Sequence, residues 1–113
     1  LYFAPANDDH VKQFLLEALM NECELEDRDV ITLVIAEDGF TEPSWLKEEF
    51  DLKMLAALYD VKAGQHTAIL LGKDGEEKHR WGAKTDWQLI NNLIDQMPMR
   101  KREMQQKRSP CAI

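Results

Sequence analysis

The stretch from His66 to Trp81 constrains the fold more than any other part of the chain, because it combines an apolar run, a turn and a more polar second run. Its first run, residues 67–71, lies between two glycines and has the length and composition of a buried strand. The dipeptide Asp74-Gly75 favours a tight turn, since both residues tolerate positive backbone angles. Residues 76–81 carry charges that discourage further pairing. We therefore predict an antiparallel hairpin with one buried strand and one exposed strand.

The first third of the chain has the pattern of a strand, a helix and a second strand. Residues 1–4 are apolar and are ended by Pro5. A helix is expected to follow, with Asn7 or Asp8 as its N-cap and an apolar face at i, i+3 and i+4 spacing, and to end near residues 22–24. Residues 29–36 are rich in β-branched side chains, as in a parallel strand covered on both faces. This order predicts a crossover unit with two parallel strands.

The acidic and aromatic segment 41–50 is expected to be helical. Pro43 suits a first helical turn, and Asp51 suits the cap of a second helical piece. The pattern is compatible with one bent helix or with two short ones. Further along, Thr85 and Gln88 match a capping box at the start of a closing helix.

These elements, in the order βαβαββα, predict the α/β class and a thioredoxin-like fold: a four-stranded mixed sheet with helices on both faces. We expect one domain over residues 1–108 and a frayed tail over residues 109–113. The chain starts at Leu1 without a methionine, which suggests a fragment or a processed product.

Charge and length exclude several classes of partner. The net charge of −7 over 113 residues disfavours nucleic acid, and no apolar run reaches the length of a membrane span. Acidic residues are concentrated in segments 22–27 and 37–51, whereas basic residues are concentrated in Arg100–Arg108. The basic segment is most simply a solvated helix end, although it could contact a phosphate or an acidic partner. A protein partner remains possible, and the oligomeric state is open.

The two cysteines, Cys23 and Cys111, form no C-x-x-C pair and no metal-ligand pattern. A disulfide between them and two free thiols are both compatible with the sequence. The cysteines therefore assign the protein to neither an oxidising nor a reducing compartment.

Three stretches together are similar to a known family. They are residues 1–5, residues 71–75 with Lys78, and residues 94–104 with their Met-Pro-Met-Arg segment. In these stretches the chain resembles the domain of unknown function 4174, found in exported bacterial proteins and in secreted vertebrate proteins of the sushi-repeat and coiled-coil-domain-containing type. The resemblance implies a thioredoxin-like or peroxiredoxin-like fold and a periplasmic or secreted location. It implies no biochemical activity.

A thiol redox site would lie just after the first strand, where the helix dipole lowers a thiol pKa. A thioredoxin-type cysteine pair would fall near Asp8 and Val11, and a peroxiredoxin-type pair of Thr and Cys would fall near Asp9 and Lys12. None of these positions holds a cysteine, serine or threonine. The cis-proline usual in this fold would fall near His66. Both halves of a thiol site are therefore altered.

The residues that remain at this place form a candidate ligand-binding site. They are Pro5, Asp8, Asp9, His10, His66 and Thr67. Carboxylates close to imidazoles can transfer protons or bind a metal ion. Equally, the two aspartates can simply cap the helix while the histidines are solvated. We expect no catalytic residue, no resident metal and no cofactor here.

These observations favour a non-enzymatic, exported, thioredoxin-like module that binds a protein or envelope partner. The main alternative is a redox or oxidative-stress enzyme that uses Cys23, Cys111 or a thiol of a partner, so enzymatic activity is uncertain. A third hypothesis is a metal-dependent site built from Asp8, Asp9, His10 and His66.

Overall fold

The computed structural model describes residues 1–97 of the chain. The strands are β1 (Tyr2–Ala4), β2 (Val34–Ala36), β3 (Thr41–Glu42), β4 (Thr67–Leu71) and β5 (Glu77–Trp81). The helices are α1 (Asp9–Met20), α2 (Glu22–Asp27), α3 (Leu46–Glu49), α4 (Leu52–Leu58) and α5 (Trp87–Asp95). The basic segment Arg100–Arg108 and the predicted frayed tail 109–113 lie outside the described residues. The protein is of the mixed α/β class, as predicted.

All five strands belong to one sheet with the order β3-β2-β1-β4-β5. Strand β1 is parallel to β2, while the pairs β1–β4, β2–β3 and β4–β5 are antiparallel. The predicted parallel pair and hairpin are therefore confirmed. The predicted strand count of four is wrong by one.

The additional strand is β3, which occupies the start of the segment predicted to be helical. Gly39, with φ of +99°, reverses the chain, and the N–H of Ala36 donates to the carbonyl of Phe40 at 2.9 Å. Thr41 is consequently buried and pairs with Ile35. A second Asp-Gly turn, at residues 38–39, thus makes a second and shorter hairpin.

The structure corrects the predicted limits of three elements: the helix after β3, the second strand and the first helix. Pro43 precedes α3 instead of occupying its first turn, and only the end of segment 29–36 forms a strand. The chain leaves α2 through Asp29 in the left-handed region, with φ of 55°, which is incompatible with an extended strand there. The first helix ends at Met20, where the Asn21 side chain donates to the carbonyl of Glu17 at 2.8 Å.

The segment that follows β3 contains two short helices and not one bent helix. Phe50, between them, has extended backbone angles. The side chain of Asp51 accepts a hydrogen bond from the N–H of Met54 at 3.1 Å, so its predicted capping role is confirmed.

The β4–β5 hairpin closes as its sequence predicts. Gly75 has φ of +80°, and the N–H of Gly72 donates to the carbonyl of Glu76 at 3.0 Å. From the outer strand, the guanidinium of Arg80 donates to the carbonyls of Tyr59 and Asp60 at the end of α4. The edge strand is thereby joined to a helix terminus whose carbonyls would otherwise lack donors.

The described chain divides into two compact units. Within the described residues, the first comprises residues 1–15 and 32–85, and the second comprises residues 16–31 and 86–97.

In the first unit, helices cover both faces of the sheet. On one face Phe3, Ile35, Leu46 and Ile69 form a buried cluster. Residues of α4 pack against this cluster, namely Leu52, Leu55 and Ala56. Tyr2 points to the opposite face because side chains alternate along a strand, and its ring lies 4.6 Å from that of Phe14 in α1.

In the second unit, a forked ion pair joins α2 and α5. Arg28 donates through Nε and Nη2 to the two carboxylate oxygens of Asp95, at 3.0 and 2.9 Å, and through Nη1 to Glu24 at 2.8 Å. Its side chain is only 11% exposed, so the fork is well shielded from solvent.

The N-cap of helix α5 lies one residue later than predicted. Asp86 is the N-cap, and its side chain accepts from the N–H of Leu89 at 3.1 Å. Thr85 instead accepts a hydrogen bond from the indole N–H of Trp81 at 2.9 Å, so the predicted capping box is wrong. Among residues 1–97, no helix combines the length and the apolarity that crossing a membrane requires.

We expect Leu46→Ala to lower the free energy of unfolding by about 2–4 kcal/mol, because it opens a cavity in the buried cluster. Leu46 is 1% exposed, whereas Leu58, which is 70% exposed, provides a control of the same chemistry. Leu58→Ala should change the free energy by less than about 0.5 kcal/mol. Urea unfolding followed by circular dichroism measures both. Equal losses for the two variants would contradict the assignment of the core.

Candidate functional site

Three loops meet at one edge of the sheet in the first unit. Strands β1 and β2 are parallel, so their carboxyl ends lie at the same edge. Strand β4 is antiparallel to β1 and begins there, with Thr67 paired to Phe3. The loops that lie together are therefore residues 5–8, residues 37–40 and residues 64–66. Ligand sites of α/β proteins commonly form at the carboxyl edge of parallel strands.

A hydrogen-bonded pair of side chains, the carboxylate of Asp8 and the imidazole of His66, lies at this edge. Oδ2 of Asp8 and Nε2 of His66 are 2.8 Å apart, while Oδ1 of Asp8 accepts from the N–H of Val11 at 3.1 Å. Asp8 therefore acts as the N-cap of α1, as predicted, and also holds the start of β4. The two side chains are 34% and 18% exposed, respectively. The pair is partly shielded but remains within reach of solvent.

The surroundings of Asp8 favour its charged form. Partial burial of the carboxyl acts to raise its pKa. This effect is outweighed by the hydrogen bonds from Val11 and His66 and by the nearby charges of His66 and His10, so the pKa of Asp8 lies below its ordinary value. Asp8 is consequently a carboxylate at neutral pH and a poor general base.

Aromatic groups enclose His66 from two sides. The rings of His10 and His66 are 4.8 Å apart in an edge-to-face arrangement, and the ring of Tyr2 lies 6.1 Å from that of His66. Burial, together with the charge of Asp8, raises the pKa of Tyr2 to about 12. The Tyr2 hydroxyl is therefore a neutral phenol and no nucleophile at physiological pH.

Two acidic residues of loop 37–40 brace the edge, and the sequence-based prediction omitted both. Oδ2 of Asp38 accepts from the N–H of Asn7 at 3.0 Å, and Oε2 of Glu37 accepts from the N–H of Gly64 at 2.9 Å. Backbone hydrogen bonds from Asn7 and Phe40 lower the pKa of Asp38. The position of this loop after a strand parallel to β1 was the available signal.

The side-chain oxygen of Asn7 lacks a hydrogen-bond donor within the described residues, unlike the carboxylates at this edge. It is buried, and it accepts no hydrogen bond from residues 1–97. Buried polar atoms without a partner are uncommon in folded proteins, and leaving one unpaired costs about 1–3 kcal/mol. An unpaired acceptor next to the Asp8 cap therefore marks this place as unusual.

The structure brings together part of the predicted site. Asp8, His10 and His66 form one cluster. Pro5 follows β1 and Thr67 starts β4, so both border the cluster from the backbone. Asp9 is exposed at the first position of α1 and is not among the groups that bond to His66.

The cluster has the composition of a carboxylate–imidazole pair without a nucleophile. Residues 5–12 contain no thiol or hydroxyl, so the usual partner of such a pair in acyl or thiol chemistry is missing from the start of α1. Within the described residues, no group of three or more His, Cys, Asp or Glu side chains has the geometry to hold a metal ion.

Cys23 is disulfide-bonded. It lies in α2, in the second unit, between Glu22 and Glu24, and its side chain provides no free thiol. Cys111 lies outside the described residues. Acidic neighbours disfavour a thiolate, so α2 does not provide the electropositive environment of a reactive cysteine.

Replacing Asp8 by Asn tests the Asp8–His66 pair. Because the pKa of Asp8 in the folded state is lowered, the carboxylate contributes stability that is fully present above about pH 4 and is lost as the pH falls through the folded-state pKa. Asn retains an oxygen for the N–H of Val11 but removes the carboxylate that pairs with the imidazole of His66. We expect Asp8→Asn to cost about 1 kcal/mol near pH 6, after allowing for the solvent exposure of the pair.

Thermal unfolding from pH 2 to pH 7 measures this effect, and the two proteins should converge at about pH 2. Asp9→Asn is the matched control, with an expected loss below about 0.5 kcal/mol because it changes only an exposed charge in the first turn. A stability difference for Asp8→Asn that does not depend on pH would contradict the Asp8–His66 pair.

Comparison with known proteins places the chain in a family. The model of the family described as a domain of unknown function (DUF4174) matches residues 1–103. No curated protein matches the chain, and no solved structure matches it. The family match covers most of the chain, and the protein belongs to the DUF4174 family.

Proposed function

We propose that this DUF4174 domain is a thioredoxin-like module that has lost thiol chemistry and binds a protein or envelope partner at the edge formed by loops 5–8, 37–40 and 64–66. The hydrogen-bonded pair of Asp8 and His66 carries the proposal. It occupies the start of α1, where a thioredoxin-like enzyme would hold its reactive thiol, and it links this place to the start of β4, where the cis-proline would lie.

The topology supports the thioredoxin-like part of this proposal. A parallel β1–α1–β2 unit is followed by the antiparallel β4–β5 hairpin and by α5, and four of the five strands lie in the order β2-β1-β4-β5. The small strand β3 extends this arrangement at one edge. Fold alone does not assign an activity, so the functional argument depends on the site.

Binding, as opposed to catalysis, is favoured by the groups at the edge. The carboxylates of Asp8 and Asp38 are held by hydrogen bonds to backbone N–H groups, and the phenol of Tyr2 stays neutral. The partly exposed carboxylate of Asp8, its partner His66 and the exposed imidazole of His10 offer polar hydrogen-bonding groups to a partner.

An exported location is part of the proposal, and the disulfide of Cys23 supports it. Disulfides persist in the periplasm and in secreted proteins, while reducing conditions keep most cytosolic thiols free. This support is independent of the resemblance of the sequence to exported proteins.

The absence of thiol chemistry can be tested directly. We expect the protein to show no catalysis in insulin reduction with dithiothreitol and no peroxide consumption above the uncatalysed rate. The alternative, a redox enzyme, would show turnover that Cys23→Ser abolishes, and this result would contradict the proposal. Because that substitution also removes a disulfide, circular dichroism must first show that the variant is folded.

The location can be tested by trapping thiols in the native host. Cells are quenched with acid and treated with a maleimide of high mass, and the protein is then detected by immunoblotting. We expect the protein in the periplasmic or extracellular fraction, with Cys23 resistant to the maleimide until dithiothreitol is added. A cytosolic protein with a reactive Cys23 would contradict an exported module.

A further inference from the structure

The exposed large hydrophobic side chains of the first unit are concentrated in one segment. Trp45, Phe50, Met54 and Leu58 are 49%, 48%, 67% and 70% exposed, and no other large hydrophobic side chain of residues 1–15 and 32–85 is comparably exposed. We call these four residues the α3–α4 surface. Met54 and Leu58 are separated by one helical turn and thus lie on the same face of α4.

Packing within the unit does not account for the α3–α4 surface. Helix α4 uses Leu52, Leu55 and Ala56 to cover the buried cluster, so Met54 and Leu58 are not required for the core. Isolated exposed hydrophobic residues are common in proteins, but a group confined to one short segment is typical of an interaction site.

The segment that carries this surface is acidic overall. Residues 41–62 contain five acidic and three basic residues, a net charge of −2. Glu48, Glu49 and Asp51 are all exposed and lie between Trp45 and Met54 in the chain. A complementary partner should therefore combine positive charge with apolar side chains.

The chain itself contains such a partner segment. Arg100–Arg108 carries five basic residues and one acidic residue; it includes Met104, and Met99 directly precedes it in the chain. It is the most basic part of a chain whose net charge is −7.

We propose that the α3–α4 surface binds the basic segment Arg100–Arg108 of a second copy of the chain. In a closed pair, each copy supplies one surface and one segment, so the contact is formed twice. Exposed ion pairs contribute little individually, and the apolar side chains of Met99 and Met104 supply much of the attraction to the α3–α4 surface. This inference is independent of the function proposed for the sheet edge.

Sedimentation velocity on the full chain tests the proposal. We expect a monomer–dimer equilibrium between about 5 and 500 µM, with weak affinity because few side chains are buried. The variant Met54→Ser/Leu58→Ser should dissociate at least about ten-fold more readily, which corresponds to about 1.4 kcal/mol. Leu19→Ser/Met20→Ser is the matched control, since these α1 side chains are 65% and 75% exposed, and it should dimerise as the parent does.

Charge exchange identifies the two sides of the contact. Glu48→Lys/Glu49→Lys damages the surface, and Arg100→Glu/Arg102→Glu damages the segment, so each variant alone should remain monomeric. An equimolar mixture should associate again, because the intact segment of the first variant meets the intact surface of the second. Both variants keep a negative net charge, so the general charge of the molecules disfavours association of the mixture.

Three outcomes would overturn the proposal. They are a monomer at all concentrations, a dimer that Met54→Ser/Leu58→Ser leaves unchanged, and charge variants that fail to associate when mixed. None of them bears on the thiol assays, which test the function of the sheet edge. Circular dichroism of every variant separates a lost contact from a lost fold.

Discussion

The three-residue strand β1 is the constraint on which the rest of the first unit depends, because it bonds to two strands that run in opposite directions. On one side it pairs in parallel with β2, and on the other it pairs with the start of β4. All three of its residues are buried. This position directs Tyr2 and Phe3 into the two opposite faces of the sheet, and it brings three loops together at one edge.

The sequence predicts the elements whose signals are local. Both Asp-Gly dipeptides, at residues 74–75 and 38–39, follow an apolar run, but only the first is also followed by a run long enough to be recognised as a strand. A two-residue strand has no periodicity to detect, so only its pairing with β2 reveals it. The choice between Thr85 and Asp86 as the cap of α5 likewise depended on a contact with the side chain of Trp81.

The sequence predicts several residues of the candidate site, but it does not predict the hydrogen bonds between them. A capping role for Asp8 follows from its position before an amphipathic helix. Its second partner, His66, is 58 residues away in the chain, and only the register of β4 against β1 brings the two together. The bracing contacts of Glu37 and Asp38 depend on the parallel pairing of β2 in the same way. Long-range geometry therefore converts a helix cap into a hydrogen-bonded pair at a sheet edge.

The two outermost strands of the sheet, β3 and β5, restrict how copies of this domain can associate. Strand β3 contains only two residues and is followed by Pro43, which has no N–H to donate. Strand β5 presents Glu77, Lys78 and Arg80, whose charges oppose the approach of another strand. Fibril-like growth through backbone pairing is thus disfavoured at both outermost strands. Contacts between copies must use side chains, and such contacts can be tuned by single substitutions without disturbing the sheet.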